Sequence, residues 1–169
     1  MEHLMTVMPG ARRALFAKYH IGGCASCGFS PEETIATVCQ RNGDIPPAEA
    51  ISFLEESAAR DAAMQMSVTA LDSLIKAGRP PRLIDVRTRE EHEAVALAGS
   101  ELMTQDLLQT LFGTDKSALL VCYCHHGVRS MDAAAYLAGH GFTNVKSLSG
   151  GIDAWSCEID TSVPRYALE

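Results

Sequence analysis

The stretch Ala118-Leu119-Leu120-Val121-Cys122-Tyr123-Cys124-His125-His126-Gly127-Val128-Arg129-Ser130 decides how this chain folds. Its first six residues are almost continuously apolar, which is typical of a strand covered on both faces of a parallel sheet. Residues 129–139 then place apolar side chains at the spacing of one helical face: Met131, Ala134, Ala135 and Ala138. The stretch therefore predicts a strand, a short loop and a helix, as in a βαβ unit.

The same alternation of strands and helices extends from Ser67 onward. Besides residues 118–123, strands are predicted at residues 82–86 and near residues 144–148. Helices are predicted near residues 71–77, 89–95, 104–112 and 129–139. This order indicates an α/β fold with a parallel sheet flanked by helices.

The first 65 residues lack a convincing strand and read as short helices. The first helix is predicted over residues 9–19. A second is predicted to start at Ser30-Pro31-Glu32-Glu33, where Ser30 suits the N-cap, Pro31 the first helical position and Glu33 the reciprocal cap. A third helix is predicted after Pro46-Pro47, with residues 58–65 as its end or a linker. We therefore expect a small all-helical domain at residues 1–65 and an α/β domain at residues 66–169.

Length, charge and hydropathy restrict the class of protein. The 169 residues are 47% hydrophobic and carry a net charge of −7, without a basic run. This composition argues against nucleic-acid binding. No run of 18 or more apolar residues occurs, and charges interrupt the N-terminal region where a signal peptide would be apolar. We expect a cytoplasmic protein without membrane association.

Cys124 is the candidate nucleophile. It follows the buried strand directly, at the sheet edge where open α/β folds bind ligands. The helix that follows directs its positive dipole end and unpaired N–H groups at the loop, which favours the thiolate form of a cysteine held there. His125, His126 and Arg129 add positive or hydrogen-bonding character. The alternative is a buried, inert cysteine among ordinary loop residues, which is the preferred interpretation for Cys122.

Several separated motifs carry a resemblance to a known family. They are Asp85-Val86-Arg87 followed by Glu90-Glu91-His92-Glu93, the turn Ala98-Gly99-Ser100, the loop 124–130, the closing Gly150-Gly151-Ile152-Asp153-Ala154-Trp155, and Val163-Pro164-Arg165-Tyr166. In this order over about 100 residues, they make residues 66–169 resemble a single-domain rhodanese. The resemblance implies a rhodanese-like parallel sheet flanked by helices.

The resemblance also implies an activity. Cys124 would accept sulfane sulfur from thiosulfate or a persulfide, including one carried by a protein, and pass it to a thiol. The substrate-binding residues would be His125, His126, Gly127, Val128, Arg129 and Ser130. Asp85 and Arg87 would be structural, and no cofactor or metal is implied. The His125-His126 pair departs from thiosulfate-preferring members, which often carry Arg and Lys there, and so weakens the case for thiosulfate as the donor.

Two alternatives stay open at this point. Arsenate reductases and dual-specificity phosphatases share the fold, but their loops place five residues between Cys and Arg, whereas Cys124 and Arg129 enclose four. The shorter loop favours a single sulfur atom over a tetrahedral oxyanion. The other alternative is a non-catalytic sulfur carrier or redox sensor.

Cys24 and Cys27 form a second candidate site. The turn Gly23-Cys24-Ala25-Ser26-Cys27-Gly28 makes residues 8–58 resemble a small helical domain of unknown function. A dithiol that relays sulfur or electrons, a metal or iron-sulfur site, and a purely structural turn all fit this spacing. A four-cysteine site lacks a ligand here unless His20 or another chain supplies it, and Cys39 lies on an apolar helix face.

Overall fold

The computed structural model describes residues 1–23 and 28–165. The chain divides into two compact units, Met1–Ala63 and Met64–Glu169. That these units fold independently remains a prediction. Within the described residues, no helix is both long enough and apolar enough to cross a membrane.

Helices form the first unit. They are α1 (Glu2–Val7), α2 (Ala11–Tyr19), α3 (Ile35–Arg41) and α4 (Pro47–Met64), whose last residue lies in the second unit. The buried side chains of these helices form one apolar cluster, which includes Leu15, Val38 and Leu54. The unit therefore has a hydrophobic core of its own.

The predicted helix start at Ser30 is wrong. The helix begins at Ile35, and Thr34 is its N-cap, whose side chain accepts a hydrogen bond from the Thr37 amide at 3.1 Å. The reciprocal contact expected of Glu33 does form, since Glu33 accepts from the Ser30 amide at 2.6 Å. Glu33 also pairs with Arg41 at 2.6 Å. The contact between Ser30 and Glu33 therefore closes a turn before the helix and does not start the helix.

The stretch 58–65, predicted as the end of the third helix or a linker, is the helix end, because α4 continues to Met64. Alanines at 58, 59, 62 and 63 supply high helix propensity there. Asp61 on the same segment pairs with Arg13 of α2 at 2.6 Å. Polar residues on this stretch are therefore the solvent-facing part of a helix.

The second unit contains a five-stranded, fully parallel sheet, which confirms the predicted α/β class. Its strands are β1 (Gln65–Met66), β2 (Arg82–Asp85), β3 (Glu101–Leu102), β4 (Leu120–Tyr123) and β5 (Val145–Leu148), in the order β1-β5-β4-β2-β3. Its helices are α5 (Val68–Lys76), α6 (Arg89–Ala94), α7 (Gln105–Phe112), α8 (Val128–Gly139) and α9 (Gly151–Glu158). Strands β1 and β3 and helix α9 were not predicted.

Helices cover both faces of the sheet. On one face, Val121 and Tyr123 of β4 pack with apolar residues of α5 and α9, including Leu71 and Ile152. On the other face, neighbouring β4 residues pack with α7 and α8 through Leu111, Ala134 and Leu137. The continuous apolar run of β4 follows from this burial on both sides.

A buried network holds the ends of β2 and β4 together. Asp85 accepts hydrogen bonds from Arg87, whose Nη2 lies 2.6 Å away, and from the Tyr123 hydroxyl at 2.9 Å. His92 Nδ1 of α6 lies 2.8 Å from the same carboxylate. Burial raises the pKa of Asp85, but hydrogen bonds from Arg87 and His92 outweigh it, and the pKa falls below its ordinary value. The network fixes the carboxyl ends of β2 and β4, and the Cys124 loop follows β4 directly.

Candidate active site

Cys124 lies directly after β4, at the carboxyl end of the parallel sheet. Its residue surface is only 1% exposed. The sulfur nevertheless faces the loop, because the Gly127 amide donates a hydrogen bond to Sγ at 3.1 Å. Helix α8 begins one residue later, so its first amides and its positive dipole end lie at this loop. The sulfur sits at the base of a backbone cradle that stabilises negative charge.

Two buried hydroxyls form a chain that begins at the sulfur. Ser130 Oγ is 3.5 Å from Cys124 Sγ and 2.9 Å from Ser147 Oγ. Both serines are completely buried. When Cys124 is a thiolate, the Ser130 hydroxyl can donate to it while Ser147 donates to Ser130. The pair can therefore stabilise a charged sulfur without a cationic side chain.

Backbone contacts with α9 fix the shape of the loop. The Ile152 amide donates to the Cys124 carbonyl at 2.9 Å, and the Asp153 amide donates to the His125 carbonyl at 3.2 Å. A Cβ atom at Gly151 would overlap these two carbonyl oxygens. Gly127 itself has a φ of +92°, a region that favours glycine. The closing Gly-Gly motif thus holds the loop by close backbone packing.

Arg129 is engaged by an acidic partner. Its guanidinium forms a two-point ion pair with Glu91 of α6, at 2.7 and 2.8 Å. Glu91 is buried and also caps α6 through Thr88. Glu91 thereby compensates the positive charge of Arg129, which was expected to help bind the substrate. Val128, in contrast, is 65% exposed beside the loop.

His125 and His126 stack at the mouth of the loop. Their ring centroids are 3.9 Å apart and their planes differ by 18°. His126 is exposed, and its Nδ1 lies 3.9 Å from the Asp153 carboxylate. Burial lowers the pKa of the half-buried His125, and His126 and Arg129 lower it further, against the opposing effect of Asp153 and Glu91. Near neutral pH, His125 is therefore mainly the uncharged base.

The other cysteines lie outside the loop. Burial raises the pKa of Cys122 to about 12, and burial also raises the pKa of Cys39. Both are buried, in keeping with core packing. Cys24 and Cys27 lie outside the described residues. Among the residues that are described, no cluster of three or more His, Cys, Asp or Glu side chains could hold a metal ion.

The structure brings the predicted residues 124–130 together and adds three that sequence reasoning did not assign to the site. Ser147 underlies Ser130, Glu91 pairs with Arg129, and Asp153 faces His126. Ser147 could have been noticed as a polar residue inside an apolar strand. Glu91 and Asp153 stand in motifs quoted above for the family resemblance, but those motifs did not assign either residue to the loop.

Comparison with known proteins places this site in a family. The model of the Rhodanese-like domain matches residues 67–158. Thiosulfate sulfurtransferase GlpE of Ectopseudomonas mendocina is 38% identical over 88 residues, which cover 52% of this chain and 81% of that protein.

Two further relatives extend the comparison. Adenylyltransferase and sulfurtransferase UBA4 of Lodderomyces elongisporus is 31% identical over 159 residues, or 85% of this chain, but this is only 34% of that protein's length. The solution structure of the Rhodanese-like domain of Alr3790 from Anabaena has a TM-score of 0.51 and 26% identity, covering 63% of this chain and 88% of that one. Since the family model spans more than half of the sequence and includes the Cys124 loop, the chain belongs to the rhodanese-like family.

Proposed function

We propose that this protein is a sulfurtransferase that carries sulfane sulfur on Cys124 as a persulfide. The observation that supports this best is the contact of Cys124 Sγ with the Gly127 amide at 3.1 Å and with the buried Ser130 hydroxyl at 3.5 Å. A thiolate that accepts from the Gly127 amide, and from the Ser130 hydroxyl once the thiol proton is lost, is a stabilised nucleophile. Sulfurtransferases among the relatives support the same activity.

The transfer proceeds in two half-reactions. In the first, the Cys124 thiolate attacks the outer sulfur of the donor. A bond forms between Sγ and that sulfur, and the donor's own sulfur-to-sulfur bond breaks. The bonding electrons leave with the donor residue, as a thiolate from a persulfide or as sulfite from thiosulfate. In the second, an acceptor thiolate takes the outer sulfur and Cys124 returns to the thiolate.

The loop chemistry favours sulfur over phosphate as cargo. Only four residues separate Cys124 from Arg129. Arg129, which would clamp the oxygens of an oxyanion, is paired with Glu91. Cys124 is only 1% exposed, which favours a small cargo such as a single sulfur atom over a tetrahedral oxyanion. A phosphatase or arsenate reductase is therefore the weaker proposal.

Small molecules and proteins are both possible sources of the sulfur. The proposed substrates are thiosulfate or a persulfide as donor, including a persulfide on a partner protein, and a thiol as acceptor. The name of the UBA4 relative combines adenylyltransferase and sulfurtransferase. This combination is a reason to test protein persulfides together with small donors.

Cys124→Ser tests the proposal directly. Wild-type protein is incubated with thiosulfate or cysteine persulfide and examined by intact-mass and peptide mass spectrometry. We expect one added sulfur on the peptide that contains Cys124, transfer to a thiol with turnover, and neither in the variant. Cys122→Ser is unsuitable as a control because that residue is buried, so the exposed Cys157→Ser serves.

The outcomes separate the alternatives. If the persulfide forms on Cys124 but no thiol discharges it, the protein is a carrier or sensor. If Cys124 gains no sulfur and the protein instead hydrolyses a phosphate ester, the sulfurtransferase proposal is wrong.

A further inference from the structure

Two imidazole side chains follow Cys124 directly in the loop. His125 and His126 are stacked, with centroids 3.9 Å apart, and His125 follows the nucleophile immediately in the chain. The His125 carbonyl is anchored by the Asp153 amide at 3.2 Å. The first imidazole is therefore attached to backbone that α9 holds in place.

The charged side chains around these imidazoles are paired with each other. Arg129 of α8 is bound by Glu91 of α6 at 2.7 Å. Asp153 of α9 is bound by Arg165 at 2.7 Å. Each pair is formally neutral, so neither adds net positive charge for an anionic substrate. Burial lowers the pKa of His125, so that imidazole adds little positive charge near neutral pH.

We propose that the His125-His126 stack carries a proton between an acceptor thiol and the sulfur being transferred, and so selects thiols as acceptors. The proposal rests on the sulfurtransferase function proposed above. Half-burial of His125 supports it, since the lowered pKa keeps that imidazole able to accept a proton near neutral pH. The exposed His126 links the pair to the solvent.

The step balances without an oxidant or a reductant. An imidazole nitrogen takes the proton from the acceptor thiol, and the resulting thiolate attacks the outer sulfur of the Cys124 persulfide. The new bond joins the acceptor sulfur to the outer sulfur, while the bond from Sγ breaks and leaves its electrons on Cys124. The imidazolium returns the proton to the transferred sulfur. One thiol and one persulfide anion thus give one new persulfide and the Cys124 thiolate.

The test compares acceptors that need this proton transfer with acceptors that do not. The double variant H125N/H126N and wild type are loaded on Cys124 first, and the added sulfur is verified by mass spectrometry. The rate of discharge is then measured with 2-mercaptoethanol, which is mainly a thiol at pH 7, and with thionitrobenzoate, which is mainly a thiolate. His3→Asn, an exposed histidine of the first unit, is the matched control.

We expect the double variant to lose on the order of 100-fold in rate with 2-mercaptoethanol, as for loss of a general base, and much less with thionitrobenzoate. Wild-type discharge to 2-mercaptoethanol should fall as the pH drops and His125 is protonated, and the variant should lack this component. Equal losses with both acceptors would mean a purely structural role and overturn the proposal. Failure of wild type to load would instead refute the sulfurtransferase function.

Discussion

At the scale of single residues, the least expected feature is the buried hydroxyl pair beneath Cys124. Ser130 and Ser147 are completely buried, yet each hydroxyl has a partner. Ser147 can also donate to the Gly127 carbonyl, 3.5 Å away. The hydrogen bonds of the two serines can therefore reverse direction when Cys124 changes from thiol to thiolate. One direction suits the thiol and the other suits the thiolate.

Ser147→Ala should slow the loading of sulfur onto Cys124 by about fivefold, since a neutral hydrogen bond contributes roughly 1 kcal/mol. The physical reason is that Ser130 loses its donor and supports the thiolate less well. Loading rates are measured by quenched mass spectrometry. The exposed Ser117→Ala is the control. A loading rate equal to wild type would show that Ser147 only fills space.

The sequence predicted the contiguous part of this site but not its surroundings. Cys124 and the following loop could be placed because strand, loop and helix signals agree in register. Ser147 and Glu91 could not be assigned, because strand pairing and helix packing decide which distant residues meet the loop. For the same reason, the sequence did not show that Glu91 pairs with Arg129, so the role expected of Arg129 left out this partner. Side-chain partners across elements are tertiary information.

At the scale of elements, the Asp85 network joins β2, β4 and α6. Arg87 is buried beside Asp85, and its Nη2 also donates to the Val95 carbonyl at 2.6 Å. Tyr123 shares its hydroxyl with Ser100 at 2.8 Å. Burial raises the pKa of Tyr123 to about 12, so that hydroxyl stays protonated as a donor. The carboxyl ends of β2 and β4, next to the active loop, are therefore held by polar contacts as well as by apolar packing.

Asp85→Asn should lower the free energy of unfolding by about 3 to 5 kcal/mol at pH 7, since it leaves the buried Arg87 charge without its counter-ion. Urea denaturation measures this loss. Asp72→Asn, which removes a surface pair with Lys76, should cost less than about 1 kcal/mol. Comparable values for the two variants would contradict the role given to the network.

The pH dependence follows from the direction of the pKa shift. The pKa of Asp85 is lower in the folded protein than in the unfolded chain. The carboxylate therefore stabilises the fold above the unfolded pKa of about 3.9, and this contribution is lost as the pH falls through the lower, folded pKa. The variant should lack this acid-dependent component in the same denaturation series.

Element prediction succeeded where a pattern was long and failed where tertiary pairing decides. The apolar run of β4 and the striped helix α8 were predicted within one or two residues. The two-residue strands β1 and β3 are too short to show an alternating hydrophobic pattern. They form because they pair with β5 and β2. The Ser30 start failed because Thr34, four residues later, supplies a competing cap.

At the scale of the whole molecule, each compact unit has its own apolar clusters. The described residues of the proposed site all lie within Met64–Glu169. The residues that could add a second chemistry, Cys24 and Cys27, lie in the other unit. Sulfur loading and any dithiol function should therefore be separable by cutting the chain between α4 and β1.

A fragment of residues 64–169 should unfold cooperatively and load sulfur on Cys124 at a rate within about twofold of the full chain. The reason is that both clusters against the sheet and every contact to Sγ are retained. Thermal unfolding and quenched mass spectrometry measure the two properties. An aggregated fragment, or one that loads more than about tenfold slower, would show that the first unit is needed for the site. Full-length C24S/C27S separates the causes, since slow loading in that variant as well would assign the loss to the cysteine pair.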